Sequence, residues 1–327
     1  MKSPISRIAI VRLSALGDII NTAVVLQIIH RYYPEAQIDW FVEEAFAPIL
    51  KNHPLIHEVI PIPLKRLKKT KRFSLLKEMI HTLRSRDKYD CIIDAQGLLK
   101  SAIIASLLQG NVHGFDRSSA REAIASWFYT TTSSIPYDIN VIRRNVMVIT
   151  QALNIPFTEE LIRTKDPVFN TVYFPTEIKK IAMVIGASWA SKCYPKEKFA
   201  LLCDLLPYPC TLIWGSESEH QDAQWIAQHC ANALVAPKMS LSELVDFIGS
   251  CDLTIGNDTG PTHIAWAMNK ASITLFGPTN ERMIYPTAIN TFIKSPSKVD
   301  IFHINRNDFS IAQIDPNHIA LKAKELL

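Results

Sequence analysis

The sequence predicts an α/β protein built from two Rossmann-like domains facing a cleft. Three observations carry that expectation. A chain of 327 residues has room for two domains at ~150 residues each. Each half alternates short apolar runs with amphipathic segments, the rhythm of buried parallel strands covered by helices. Pro156, Pro167 and Pro175 interrupt that rhythm near 160–178. The expected domains are 1–165 and 166–327.

In the first half, Ile8-Ala9-Ile10-Val11-Arg12-Leu13 reads as a buried strand. Ile19 to Tyr33 follows as a helix stopped by Pro34. Ile38 to Val42 is the second strand, with a short helix from Glu44, and Val59 to Ile62 is the third. Leu75 to Leu83 is helical, and Cys91-Ile92-Ile93-Asp94 is the fourth strand.

The second half repeats the scheme. Ile181 to Ile185 is a strand and Lys196 to Leu205 a helix. Cys210 to Trp214 is a strand and Glu219 to Cys230 a helix. Ser240-Leu241-Ser242-Glu243 opens another helix with a capping box. Leu253 to Ile255 and Ile273 to Phe276 are further strands. Asp315 and Pro316 suit N-cap and N1 of a last helix, about 315–327, expected to pack back on the first domain.

Composition narrows the function classes. At 48% hydrophobic and 20% charged residues the chain is not a disordered one. Ten glycines exclude a collagen-like chain. No apolar run reaches the ~20 residues of a membrane helix, and Arg12 breaks the first apolar run before it makes a signal peptide. The six cysteines form no C-x-x-C pair, so they read as reduced thiols in the cytoplasm. With no H-E-x-x-H pattern among ten histidines, no metal site is expected.

Charge is unevenly distributed. Residues 1–165 hold 22 Lys/Arg and 15 Asp/Glu, a balance of +7, whereas 166–327 hold 13 and 16, a balance of −3. The basic half calls for an anionic partner. Lys65-Arg66-Leu67-Lys68-Lys69-Thr70-Lys71-Arg72 packs six cations into eight residues. It lacks the aromatic interleaving of nucleic-acid binders. A phosphorylated or carboxylated target competes here with a solvated, mobile loop.

Chemistry is expected where strands end. Gly17 would let the chain turn tightly after the first strand, and Asp18 is either a general base or a helix N-cap. Gly256-Asn257-Asp258-Thr259-Gly260-Pro261-Thr262-His263 places small residues before a helix start, where free N–H groups and the dipole favour a diphosphate. In Gly186-Ala187-Ser188-Trp189-Ala190-Ser191-Lys192, Ser188 and Lys192 can hold phosphate oxygens. Glu217 or Glu219 can bind ribose hydroxyls or merely open a helix. Asp94-Ala95-Gln96-Gly97-Leu98-Leu99-Lys100-Ser101 is a further strand end. No G-x-G-x-x-G fingerprint is present, which weakens a nicotinamide reading.

Taken in order, six segments resemble the ADP-heptose:lipopolysaccharide heptosyltransferases. They are Leu13-Ser14-Ala15-Leu16-Gly17-Asp18, Ile93 through Ala102, and His113-Gly114 through Ala120-Arg121-Glu122. Pro237-Lys238-Met239-Ser240-Leu241, Asn257-Asp258-Thr259-Gly260 and Phe276-Gly277-Pro278-Thr279 complete the set. The resemblance spans nearly the whole chain and is nearest to the branch that adds the first heptose to Kdo of the inner core.

That resemblance implies a GT-B fold, with an acceptor domain followed by a nucleotide-sugar domain, and inverting, metal-independent transfer with no cofactor. Asp18 falls on the catalytic base and Lys192 on the phosphate-contacting lysine. Ser188, Glu219, Asp258, Thr259, Gly260 and His263 fall on the donor side. Ser14, Gly17, Lys65, Arg66, Lys68, Gln96, Lys100 and Arg121 fall on the acceptor side. One departure is that Ala187-Ser188 stands where two threonines are usual, so one hydroxyl is missing. The implied partners are ADP-heptose, Kdo-lipid A and the anionic inner leaflet, met from the cytoplasm without nucleic acid. The rival readings are transfer to a heptose acceptor, a nucleotide-sugar epimerase or hydrolase on the same fold, and a non-enzymatic polyanion binder.

Overall fold

The structure is a computed structural model that describes residues 5–171 and 179–327; Pro175 lies outside them. The chain divides into two units, Met1–Val168 and Phe169–Leu327.

The first unit contains a six-stranded parallel sheet ordered β3-β2-β1-β4-β5-β6. Its strands are β1 (Arg7–Val11), β2 (Gln37–Glu43), β3 (Glu58–Ile62), β4 (Cys91–Asp94), β5 (Val112–Phe115) and β6 (Thr131–Ser133). Helices α1 (Leu16–Ala23), α2 (Val25–Tyr32), α3 (Ala47–Leu50) and α4 (Leu64–Thr70) alternate with them. So do α5 (Phe73–Arg84), α6 (Leu99–Leu107), α7 (Val141–Ala152) and α8 (Glu160–Arg163). The expected helix over Ile19 to Tyr33 is two helices meeting at Val24. Met79 and Leu83 of α5 join Ile104 and Ala105 of α6 in a core against Ala9, Val11 and Ile92. Helices α1 and α2 pack with α7.

The basic run corrects one expectation. It is a helix rather than a loop: Lys65 to Thr70 lie in α4, whose Leu64 and Leu67 pack on that core. The apolar spacing gives the segment a partly buried side, so its cations project from a structured surface. Lys71 ends the helix in the left-handed conformation at φ 50°.

The second unit repeats the architecture, with strand order β12-β11-β10-β7-β8-β9. Its strands are β7 (Ile181–Val184), β8 (Cys210–Ile213), β9 (Ala233–Val235), β10 (Leu253–Asn257), β11 (Ala271–Phe276) and β12 (Asn290–Lys294). Its helices are α9 (Lys196–Leu205), α10 (Glu217–His229), α11 (Leu241–Ser250), α12 (Gly260–Ala267) and α13 (Pro316–Leu326). Ser240 caps α11 as its sequence predicts, accepting from Glu243 N–H while the Glu243 carboxylate accepts from Ser240 N–H at 2.7 Å. Asp315 caps α13 through Asn317 N–H at 2.9 Å. Ile319, Ala320 and Ala323 of α13 belong to the second unit's own core, against α9 and β11. Four short strands, β5, β6, β9 and β12, were not among the expected elements.

Candidate active site

At the end of β1, the chain leaves the sheet through Arg12, Leu13 and Ser14 and enters α1. Gly17 is not a turn residue, which corrects the expectation: it lies buried in the first turn of α1. The glycines with left-handed φ are Gly97 and Gly110. Asp18 is not the N-cap either. Ala15 occupies that position, and Asp18, three residues on, returns a bond by accepting Ala15 N–H at 3.2 Å. The other Asp18 oxygen is 3.0 Å from Arg12 Nη2. The carboxylate keeps 25% of its side-chain exposure, whereas Arg12 keeps 8%. Asp18 is therefore anchored from inside the protein yet open outward, which both a capping group and a base require.

The neighbouring strand end joins this group. Gln96 Oε1 accepts Leu13 N–H at 2.8 Å, and its amide reaches Ser14 Oγ at 3.3 Å. Lys100 Nζ donates to the same hydroxyl at 2.8 Å. Burial pushes the Lys100 pKa down, against the pull of Glu43 and Glu122, with Lys65 and Arg12 also within electrostatic reach. Glu43 ties α4 to the site by accepting Lys65 N–H at 3.1 Å. Ser14, Gln96 and Lys100 are thus one hydrogen-bonded cluster, Asp18 follows four residues after Ser14, and Lys65 lies within electrostatic reach of Lys100. Arg66 turns to Glu44 at 3.4 Å. Lys68 is exposed on α4, and exposed Arg121 follows the loop whose backbone approaches Gly97.

A buried carboxylate beneath the cluster was not singled out from sequence. Asp94 accepts from Gln96 N–H, Gly97 N–H, Ser101 Oγ and Tyr129 OH at 2.7–3.2 Å. Burial pushes its pKa up, opposed by those four donors. A Cβ on Gly114 would fall 2.4 Å from the Tyr129 ring. That close approach gives the His113-Gly114 segment a physical reason: glycine lets Tyr129 lie on β5 and reach Asp94.

In the second unit, Asp258 follows β10 and Thr259 occupies the N-cap position of α12. The Asp258 carboxylate is almost fully buried, and both oxygens are engaged. Lys192 Nζ and Thr279 Oγ1 reach Oδ2 at 2.7 and 2.8 Å, and His263 Nε2 reaches Oδ1 at 3.2 Å. Burial favours protonation, but Lys192 and His263 outweigh it and hold the carboxyl well below the usual carboxylate range. Asp258 is thus the internal partner of Lys192, and His263 holds the other oxygen of that carboxylate. At the start of α12 the N–H groups of Gly260 and Thr262 have no acceptor within the helix, Pro261 has no N–H, and His263 N–H donates to Thr259 O at 3.3 Å. Thr279 also lines a cavity of about 380 Å³ with Asn280, Glu281, Lys294 and Lys298.

Of the two acidic candidates for the ribose, Glu219 has the structured environment. Its Oε2 accepts Gly215 and Ser216 N–H at 2.7 and 3.0 Å. A Cβ on Gly186 would sit 2.1 Å from its Oε1, so glycine at the end of β7 makes room for this carboxylate. Glu217 is 79% exposed, with His220 at 3.8 Å. Ser188 is exposed in the loop between β7 and α9.

His53 and His57 stand four residues apart, a spacing that could have flagged a metal site. The structure separates their roles: His53 bonds Val168 O at 2.7 Å, and His57 bonds Asp39 at 2.8 Å. Asp39, His57 and Glu58 lie together. Arg7, Tyr89 and Arg86 already satisfy these carboxylates. Two guanidiniums in the set disfavour a cation there.

The family model described as "Glycosyltransferase family 9 (heptosyltransferase)" matches residues 76–297. The lipopolysaccharide heptosyltransferase 1 of Campylobacter coli is 39% identical, over 98% of both chains. The solved structure of Escherichia coli heptosyltransferase WaaC with ADP is 27% identical with a TM-score of 0.84, covering 98% of this chain and all of that one. The same enzyme with ADP-2-deoxy-2-fluoro heptose gives a TM-score of 0.81. The two parallel-sheet units are of the GT-B type that the sequence predicted. The chain belongs to glycosyltransferase family 9, the heptosyltransferases.

Proposed function

We propose that the chain transfers L-glycero-D-manno-heptose from ADP-heptose to Kdo of the lipopolysaccharide inner core, presented as Kdo-lipid A, with inversion. The observation that carries this reading is Asp18: a carboxylate held from inside by Arg12 and Ala15, partly open, four residues after Ser14, whose hydroxyl Lys100 contacts. A base next to cations suits an acceptor sugar that carries its own carboxylate. The similarity to enzymes named lipopolysaccharide heptosyltransferase 1, and to one solved with an ADP-heptose analogue, supports this acceptor and donor.

Asp18 takes the proton of an acceptor hydroxyl as that oxygen attacks the anomeric carbon. ADP leaves from the opposite face. Lys192, Ser188 and the start of α12 meet the charge that develops on the leaving diphosphate. Lys192 can do so while keeping Asp258, because an ammonium has three donors. Glu219 takes the ribose hydroxyls. This division of labour asks for no metal.

Among the described residues, no helix is long and apolar enough to cross a membrane. The lipid-linked acceptor is reached from the cytoplasm by peripheral binding to the anionic inner leaflet. The cations of α4 and the exposed Phe73 and Trp127, 76% and 73% accessible, support that contact.

Incubation with ADP-heptose and Kdo-lipid A, followed by mass analysis of the lipid, tests the reading. One added heptose is expected. Release of ADP without a lipid product, or transfer only to an acceptor that already carries heptose, would reject it.

A further inference from the structure

Arg12 belongs to none of the groups that the resemblance assigned, yet its side chain is buried at the site and bonded at both terminal nitrogens. Its backbone is tied to β2: Arg12 N–H donates to Phe41 O at 3.1 Å, and its carbonyl accepts Trp40 Nε1 at 3.4 Å. Nη1 donates to the carbonyl of Ala95 at the end of β4, and Nη2 meets Asp18 at 3.0 Å. Nε is buried without a hydrogen-bond partner. A buried guanidinium with an unsatisfied N–H is costly. Retaining one here, where an apolar side chain would fill the space, points to a function for its charge and shape.

We propose that Arg12 is a positioning residue for the transfer reaction, fixing the Asp18 carboxylate as the proton acceptor. This rests on the base role proposed for Asp18. Arg12 holds one oxygen and Ala15 N–H holds the other, so the carboxylate cannot rotate and its remaining lone pairs face outward. Ala95 O holds the guanidinium in turn, giving the base a rigid support. The proton balance follows directly. Asp18 gains the acceptor hydroxyl proton during attack, which removes the anionic half of the Arg12–Asp18 pair. The buried guanidinium then favours loss of that proton to solvent once product leaves, restoring the pair for the next turnover.

The test is a double-mutant cycle built from Arg12→Gln and Asp18→Asn, with Arg12→Lys as the charge-retaining variant. Each is assayed for kcat, acceptor KM, ADP affinity and melting temperature. Arg12→Gln should lower kcat by about 30-fold or more, within the range of acid–base contributions, with acceptor KM and ADP affinity nearly unchanged. Arg12→Lys should recover part of that loss. In the Asp18→Asn background, Arg12→Gln should cost less than about twofold more, because its only route to the chemistry is already gone. An equal further loss in that background would overturn the proposal, as would a rise in acceptor KM at unchanged kcat. If Arg12→Gln fails to fold, the Arg12→Lys cycle on Asp18→Asn gives the same decision. Asp18→Asn alone reports on the base itself: near-normal turnover there would reject the proposed mechanism and not merely the role of Arg12.

Discussion

Lys192 Nζ lies 2.7 Å from Asp258 Oδ2, inside a buried group that also contains His263 and Thr279. The residues come from different crossover segments, and the parallel pairing of β7 with β10 brings their strand ends together. The pair fixes the ammonium at the mouth of the second sheet, beside the start of α12. Both Asp258 oxygens are engaged, so this acid anchors the lysine that meets the donor.

The anchor has a pH signature. The Asp258 pKa is depressed in the folded protein. Its contribution is therefore full above the unfolded carboxyl pKa of about 3.9 and lost as pH falls below it. Asp258→Asn should cost roughly 3 kcal/mol at pH 7, the scale of a broken buried pair. Urea unfolding at pH 7 and in acid should show that difference shrinking on acidification. A difference independent of pH would assign it to packing.

Asp18→Asn keeps the side-chain shape while removing the base and, because an amide NH2 cannot accept, one of the two bonds from Arg12 and Ala15 N–H. Turnover should fall by ~100-fold or more, with little change in ADP affinity or melting temperature. Loss of folding with normal specific activity in the folded fraction would make Asp18 a capping residue only.

Activity should survive EDTA. Stabilisation of the leaving diphosphate is assigned to Lys192, Ser188 and the α12 terminus, so removing divalent ions leaves those donors in place. Complete loss restored by Mg²⁺ or Mn²⁺ would overturn that assignment.

Neutralising Lys65, Arg66, Lys68 and Lys69 together should raise acceptor KM and leave ADP-heptose affinity nearly intact. Because α4 is folded on the first unit's core, substitutions on its exposed side should not unfold it. The effect should weaken as salt rises, since exposed charges are screened over about 8 Å at physiological ionic strength. Steady-state kinetics with a soluble Kdo acceptor and with anionic liposomes separates acceptor binding from membrane binding. Unchanged KM on both acceptors would remove both roles.

Repetition of strand and helix was legible in the sequence because buried parallel strands are continuous apolar runs. Lys196 to Leu205 is helical over the predicted span, and Cys91 to Asp94 is the predicted strand. The short strands β5, β6, β9 and β12 were not legible. With three or four residues, β5, β6 and β9 carry too little periodicity to stand apart from a loop, β6 mixes Thr and Ser, and β12 has only Phe292 and Ile293 as apolar residues among five. The α4 helix was obscured because its four cations outweigh the two partly buried leucines that pack it on the core.

The sequence by itself determined which strand ends carry polar chemistry: Ser14 and Asp18, Gln96 and Lys100, Lys192, and Asp258 with the start of α12. A carboxylate or lysine after an apolar strand is a local signal. Only the tertiary structure decided how these groups are held. Arg12 fixes Asp18, Asp94 gathers the backbone of Gln96 and Gly97 with Ser101 and Tyr129, and Asp258 anchors Lys192. Arg12 lies close to Asp18 in sequence, as Gln96, Gly97 and Ser101 do to Asp94, but Tyr129 reaches Asp94 and Lys192 reaches Asp258 because parallel strands pair side by side, bringing crossover loops to one edge of each sheet. Hydrogen bonds across that edge depend on strand order and register, which no local stretch of sequence encodes.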